Sequence, residues 1–254
     1  MDNNTSSRQD ILIALASAPF TDRATEKNLA TLLHYMEEAA RQGADLVCFG
    51  EAFLQGFDCL DWDFATDKYM AVTRGSGEIR RIREASRRLG VDVMFGFIER
   101  EGETLYSSCM LVEAGEMTQC YRRMSEGWKE SDRTDHHYRE GTAAELFHYR
   151  GWRCVMTLCG DMWDTTQDAF RLGEELLFWP LYCDYTRDEW LNGELADYAR
   201  QCRDHAPLTF MINSLCQGGN EGGCAVYRQG QMAQLLEPGR EGLLLVRPLQ
   251  LMKG

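Results

Sequence analysis

Apolar positions along the chain fall into two alternating patterns. Short continuous runs rich in branched residues predict buried strands: "ILIALAS" (Ile11–Ser17), "ADLVCFGE" ending at Glu51, and "VDVMFGFIE". Between them lie runs of helical period. In "TEKNLATLLHYMEEAARQG" the residues Leu29, Leu32, Leu33, Met36, Ala39 and Ala40 share one face, and Gly43 is a stop signal. In "GSGEIRRIREASRRLG" Ile79, Ile82, Ala85 and Ser86 face inward and Gly90 ends the run. The pattern then changes. "TLYSSCMLVEAGEMTQCYRR" predicts two strands joined by a hairpin at Glu113-Ala114-Gly115-Glu116. The stretch from Ser125 to Gly141 is polar and without period, which predicts a long surface loop. "AELFHYRGWRCVMTLCGD" predicts a strand pair turning near Arg150-Gly151. "EELLFWP" predicts a strand, "DEWLNGELADYARQCRDHA" a helix and "LTFMINSL" a strand, followed by short strands around Gly230 and Gly239.

The order β-α-β-α-β-β-β, then β-β-α-β-α-β, then short strands, carries no internal repeat and no Pro/Ser-rich linker. Its simplest solution is one α/β domain spanning residues 1–254, with two mixed sheets covered by helices and residues 1–9 as a tail. The chain's 254 residues suffice for a substantial core. A formal net charge of −13 argues against nucleic acid or an anionic membrane surface as partner. The polar start "MDNNTSSRQD" shows no secretory signal, and no run has the ~20 apolar residues of a membrane helix. A cytoplasmic protein is expected. The ten cysteines include Cys48, Cys109, Cys154 and Cys216 inside strand-like runs, where they would act as small hydrophobes. There is no C-x-x-C pair, and His136-His137 has no spaced partner, so no metal site is expected.

Candidate chemistry sits at strand ends, where ligands collect in helix-covered sheets. Glu51 ends one strand, Cys159 ends "VMTLCG", and Lys129 in "YRRMSEGWKE" lies just past another. A thiol nucleophile needs a base or a positive field. A half-buried carboxylate can take its proton and return it to a leaving amine. An ammonium can hold the oxyanion of a tetrahedral intermediate. Taken one at a time, the bland readings hold: a lone Glu after an apolar run is usually a surface residue, and a lone Cys is usually core. A Cys-His hydrolase using His136, His137 or His205 would need a histidine in a recognisable motif with Cys159, and none is present.

The segments "AARQGADLVCFGEAFLQGFD", "LCGDMWD", "GFIERE" with "LYSSCMLVEAGEMTQCYRR", and "INS" with "GGCAVYRQGQMAQ" together resemble the carbon–nitrogen hydrolase (nitrilase) superfamily, in the family's order and over essentially the whole chain. The resemblance implies a four-layer α-β-β-α sandwich, a Glu-Lys-Cys triad, no cofactor, a small-molecule substrate, and pairing into homodimers or larger homo-oligomers. Carried onto this chain, it makes Glu51 the base and Cys159 the nucleophile of a thiol amidohydrolase. Gly50 stands where the family usually has Pro, and Ser107 where Asn is common. Where the family has Tyr-Arg-Lys, this chain has Tyr121-Arg122-Arg123, and the nearest lysine is Lys129, six residues on. Arginine is not equivalent to an ammonium, so Lys129 is favoured for the oxyanion, reaching in across a bend at Gly127, with Arg123 as the other candidate. Glu126 or Glu130 would be the second acidic residue that many members carry. The Gly160 N–H would be a second oxyanion donor, and Trp163, Phe53 and Trp128 either pocket walls or core. A non-catalytic nitrilase-like domain, kept for binding or assembly, is the alternative that Arg123 keeps open.

Overall fold

The computed structural model describes residues 8–163, 165–216 and 219–253. The first sheet is built from β1 (Ile13–Ser17), β3 (Leu46–Cys48), β4 (Asp92–Glu101), β5 (Thr104–Glu113), β6 (Glu116–Arg122) and β13 (Gly242–Val246), in the order β13-β1-β3-β4-β5-β6. The second contains β7 (Phe147–Tyr149), β8 (Trp152–Met156), β9 (Leu176–Leu181), β10 (Leu208–Cys216), β11 (Glu221–Arg228) and β12 (Gln231–Leu236), in the order β12-β11-β10-β9-β8-β7. The two-residue β2 (Pro19–Phe20) also pairs with β10. Each sheet is parallel at its centre, β1 with β3 with β4 and β8 with β9 with β10, and antiparallel at its edges.

The period of two along the strands builds the layers. Ile13 and Leu15 of β1, Leu46 and Cys48 of β3, Met94 of β4, and Cys109 and Leu111 of β5 point into the core between the sheets. Their neighbours Ala14, Val47, Val93, Phe95, Met110 and Val112 point the other way, against helices α1 (Thr25–Arg41) and α3 (Gly77–Leu89). The predicted inward residues Leu29, Leu32, Met36, Ala39, Ile79 and Ile82 are buried there. On the far side, α4 (Arg187–Glu189) passes through a π-turn (Trp190–Glu194) into α5 (Leu195–Gln201), and Leu195, Tyr198 and Ala199 pack on the second sheet. Two short helices, α2 (Phe64–Asp67) and α6 (Pro248–Lys253), lie outside these layers in sequence. The fold is the expected four-layer α-β-β-α sandwich.

Both predicted hairpins turn where expected. Ala114 and Gly115, and Arg150 and Gly151, have positive φ, as tight primed turns require. Three expectations need correction. The predicted single helix over 188–206 is broken by the π-turn. The predicted strand "ADLVCFGE" is paired only over Leu46–Cys48, and Glu51 lies in the turn beyond it. Residues 8 and 9 are not a free tail: Gln9 N–H donates to the Arg150 carbonyl and the Trp152 indole donates to the Gln9 carbonyl, while Arg8 pairs with Glu175. The rest of that expected tail, residues 1–7, lies outside the described residues. Among the described residues, no helix is long and apolar enough to cross a membrane.

Candidate active site

Glu51 is fully buried although it follows a strand end. Its backbone N–H donates to the Leu181 carbonyl at 3.0 Å, so the turn after β3 is tied to the end of β9 in the opposite sheet. Gly50 N–H donates to Ser214 Oγ at 3.2 Å, a second tie across the sheets. A Cβ at residue 50 would lie 2.6 Å from Ser214 Oγ and 2.8 Å from the Leu181 carbonyl oxygen. The departure from the family's proline thus has a local reason: this chain uses the N–H that proline lacks, in a space that a side chain would overfill.

The buried carboxylate of Glu51 has two partners from the first sheet. Ser107 Oγ donates to its Oε1 at 2.8 Å. Arg123 Nη1 lies 3.0 Å from Oε1 and 3.2 Å from Oε2. Arg123 continues the β5–β6 ladder by one residue, its N–H donating to the Ser107 carbonyl at 2.8 Å, and its Nε donates to Ser125 Oγ at 2.7 Å. Arg123 is buried, so its charge needs a paired carboxylate. Burial opposes its protonated form, but the Glu51 carboxylate and the nearby Cys159 sulfur outweigh that and hold the guanidinium above its ordinary range.

Cys159 follows β8 at the start of a 3₁₀ turn (Cys159–Met162), with a left-handed φ of 34°. That conformation costs a non-glycine residue roughly 1–2 kcal/mol. The indole of Trp179 donates to the Cys159 carbonyl at 2.9 Å and helps to hold it there. Cys159 Sγ lies 3.4 Å from the Tyr182 carbonyl oxygen and 3.8 Å from Cys183 Sγ. The Cys183 S–H lowers the Cys159 pKa most; burial and Glu51 oppose this, Arg123 assists, and the outcome is a thiol below its ordinary range. Cys183 is pushed the other way, chiefly by Cys159 and by burial, and stays a thiol. Gly160 completes the contact between the sheets: a Cβ there would lie 2.4 Å from Arg123 Nη2. The guanidinium therefore rests directly on the backbone beside the candidate nucleophile.

Asp161 joins the two loops. Its Oδ1 accepts from the N–H groups of Met124 and Ser125, and its Oδ2 from Leu158 N–H and, at 2.6 Å, from the Tyr121 hydroxyl. Burial pushes the Asp161 pKa up against these donors.

Of the residues singled out from sequence, the structure gathers Glu51, Arg123, Cys159 and Gly160. Lys129 is not among them. Its ammonium is held 2.6 Å from Glu140 and 3.0 Å from the Tyr138 carbonyl. The bend at Gly127 does not swing it inward, because the loop is pinned by a bridge between Leu105 and Tyr138 and by the Tyr138 hydroxyl on Asp67. Glu126 is exposed, and Glu130 is an exposed partner of Arg133. Phe53 and Trp128 are core. Trp163 is exposed and stands edge-on to Tyr198 with ring centres 5.0 Å apart; the Tyr198 hydroxyl in turn meets Cys183. His136 and His137 with Asp135 form, among the described residues, the one group of possible metal ligands close enough to share an ion, and it is on the surface, away from these residues in the chain. Sequence reasoning missed Ser125, Tyr182, Cys183 and Tyr198. The signal for Cys183 was present: it lies two residues past the end of β9, at the kind of strand end that singled out Glu51 and Cys159.

Residues 12–178 match the family model described as carbon–nitrogen hydrolase. Among curated relatives, an arylacetone-specific nitrilase of Alcaligenes faecalis is 31% identical over 119 residues, covering 43% of this chain and 33% of its own length. A glutamine-dependent NAD(+) synthetase of Thermotoga maritima is 24% identical over 147 residues, covering 58% of this chain and 25% of its own. The chain thus spans between a quarter and a third of these two relatives. Among solved structures, a CN-hydrolase superfamily protein of Xanthomonas campestris, carrying an arsenic adduct in its active site, superposes with a TM-score of 0.77 at 19% identity over 96% of this chain and 93% of that one. An amidase of Nesterenkonia sp. superposes with a TM-score of 0.75 at 18% identity over 97% of this chain and 93% of that one. With two thirds of its length matched by the family model and the sandwich in place, the chain belongs to the carbon–nitrogen hydrolase family.

Proposed function

We propose that this chain is a thiol hydrolase of a non-peptide C–N bond in a small amide or related substrate, with Glu51, Arg123 and Cys159 as its working groups. The observation that carries the reading is the buried guanidinium, bonded to the Glu51 carboxylate and resting on the backbone next to Cys159. Arg123, not Lys129, takes the place of the family's lysine in this proposal. Cys159 Sγ attacks the carbonyl carbon while Glu51 takes the thiol proton. The oxyanion is met by the Arg123 guanidinium and the Gly160 N–H. As the C–N bond breaks, Glu51 returns the proton to the leaving amine. Water then adds to the thioester, gives a proton to Glu51, and releases the acid and the Cys159 thiol.

The named relatives are a nitrilase and a glutamine-dependent NAD(+) synthetase, and one solved neighbour is an amidase; this chain's own substrate is proposed only as a small molecule with an acyl–nitrogen or nitrile carbon. The alternative, a domain without catalysis, predicts an inert Cys159. A panel of small amides, nitriles and N-carbamoyl amines assayed for ammonia release tests the reading. Turnover that vanishes in Cys159→Ala is expected. Absence of release across the panel, with Cys159 alkylated by iodoacetamide no faster than the other cysteines, would favour the non-catalytic alternative.

A further inference from the structure

Cys183 is not used by the reaction just described, yet its sulfur is 3.8 Å from that of Cys159 and 3.0 Å from the Tyr198 hydroxyl. Neither cysteine is in a disulfide, and both are partly exposed residues. They follow adjacent parallel strands, Cys159 three residues past β8 and Cys183 two past β9. By the β8–β9 register Cys159 falls level with Leu181, so the two cysteines meet beyond the paired strands, and the 3.8 Å between their sulfurs is what brings a bond within reach. Bonding closes that gap to the ~2.05 Å of an S–S bond. Disulfides in reducing compartments are usually transient or redox-sensing.

We propose that Cys159 and Cys183 form a reversible disulfide when the protein meets a hydroperoxide, and that this bond locks the candidate nucleophile. The Cys159 thiolate attacks the peroxide O–O bond and takes one oxygen as a sulfenic acid, releasing hydroxide or, from an organic peroxide, the alkoxide. Sulfur loses two electrons and the peroxide gains them. Cys183 sulfur then attacks the sulfenic sulfur: the S–S bond forms, the S–O bond breaks, and the Cys183 proton leaves with the hydroxyl as water. A thiol reductant reverses the step by exchange. The Arg123 guanidinium beside Cys159 favours the attacking thiolate, and the Cys183 thiol stands in line to intercept the sulfenic acid before a second peroxide oxidises it further.

Only the functional consequence rests on Cys159 being the nucleophile; the bond itself does not. The full-length reduced protein is treated with hydrogen peroxide in slight molar excess, blocked with iodoacetamide, digested without reductant and mapped by mass. The expected product is a cross-linked peptide pair joining Cys159 to Cys183, two hydrogens lighter than the reduced pair and split by dithiothreitol, with turnover lost and regained in parallel. In Cys183→Ser the same treatment should leave Cys159 as a dimedone-reactive sulfenic acid or its irreversible sulfinic product. Wild-type protein that accumulates dimedone-labelled or over-oxidised Cys159 without the cross-link overturns the proposal. So does an unoxidised Cys159, or a cross-link through any other cysteine. If the cross-link forms in a protein that shows no turnover when reduced, the disulfide stands and the hydrolase reading falls.

Discussion

At the scale of single residues, the proposed exchange of arginine for lysine beside the buried glutamate has the most consequences. Lysine can lose its proton, whereas arginine stays charged throughout any usable pH range, and here Glu51 raises it further. Removing either partner strands the other charge in the core. Arg123→Ala should therefore abolish turnover and also lower stability by about 3–5 kcal/mol, measured by urea titration. Pairing it with Glu51→Gln should restore part of that stability without restoring activity. Glu51→Gln alone should reduce turnover by roughly 10²–10⁴, the usual loss for a general acid–base group. Lys129→Ala, which breaks only the contact with Glu140 and the Tyr138 carbonyl, should leave turnover near wild type. Cys159 gives a pH test. Its thiolate is favoured below the ordinary thiol range, so iodoacetamide should label it at pH values where a free thiol is still protonated and slow. The rate should plateau as pH rises through its pKa. Cys183→Ala removes the largest favourable contribution, so the plateau should move to higher pH.

Between elements, two small junctions hold the sheets in register at the site. Asp161 carries four donors, from Leu158 on its own loop, from Tyr121 at the end of β6, and from Met124 and Ser125 just beyond it. Asp161→Ala leaves those buried donors without an acceptor and should cost at least about 3 kcal/mol. It should also depress turnover in the fraction that stays folded, because Ser125 would no longer hold Arg123. The second junction is Gly50 on Ser214 and Leu181. Gly50→Ala should destabilise by about 1–3 kcal/mol through overpacking, and Ser214→Gly should relieve part of it, since one of the two obstructing oxygens is then gone. These junctions also explain how far the sequence could be followed. The strands, both hairpins and the helix faces were legible because each depends on local period and turn chemistry. Glu51 and Cys159 were legible as candidates because they follow strand ends, and Arg123 because it stands at the position of the family's lysine. The choice between Arg123 and Lys129 was not, because it depends on Tyr138, Asp67 and Glu140 pinning the intervening loop. No local pattern announces contacts at that distance.

For the molecule as a whole, the site is a seam. Glu51, Ser107 and Arg123 hang from the first sheet, and Cys159, Gly160 and Cys183 from the second. Neither sheet holds a usable constellation alone, so the docking of the two through their shared core is also the assembly of the site. Loss of turnover should then coincide with loss of the near-ultraviolet signal of the buried Trp152, Trp179 and Trp190 in a urea titration. An active species persisting after the tryptophan signal has gone would mean that the sheets separate without disturbing the site, contrary to this geometry.

The left-handed backbone at Cys159 has a consequence for the history of the chain. Glycine would sit there more comfortably than cysteine, so Cys159→Gly should be at least as stable as Cys159→Ala despite its freer unfolded chain. A position of that kind is a one-way slope. Once selection for chemistry lapses, drift toward glycine or asparagine is favoured by stability alone. A lineage that had abandoned catalysis would have little reason to keep a strained cysteine between a buried guanidinium and a second thiol.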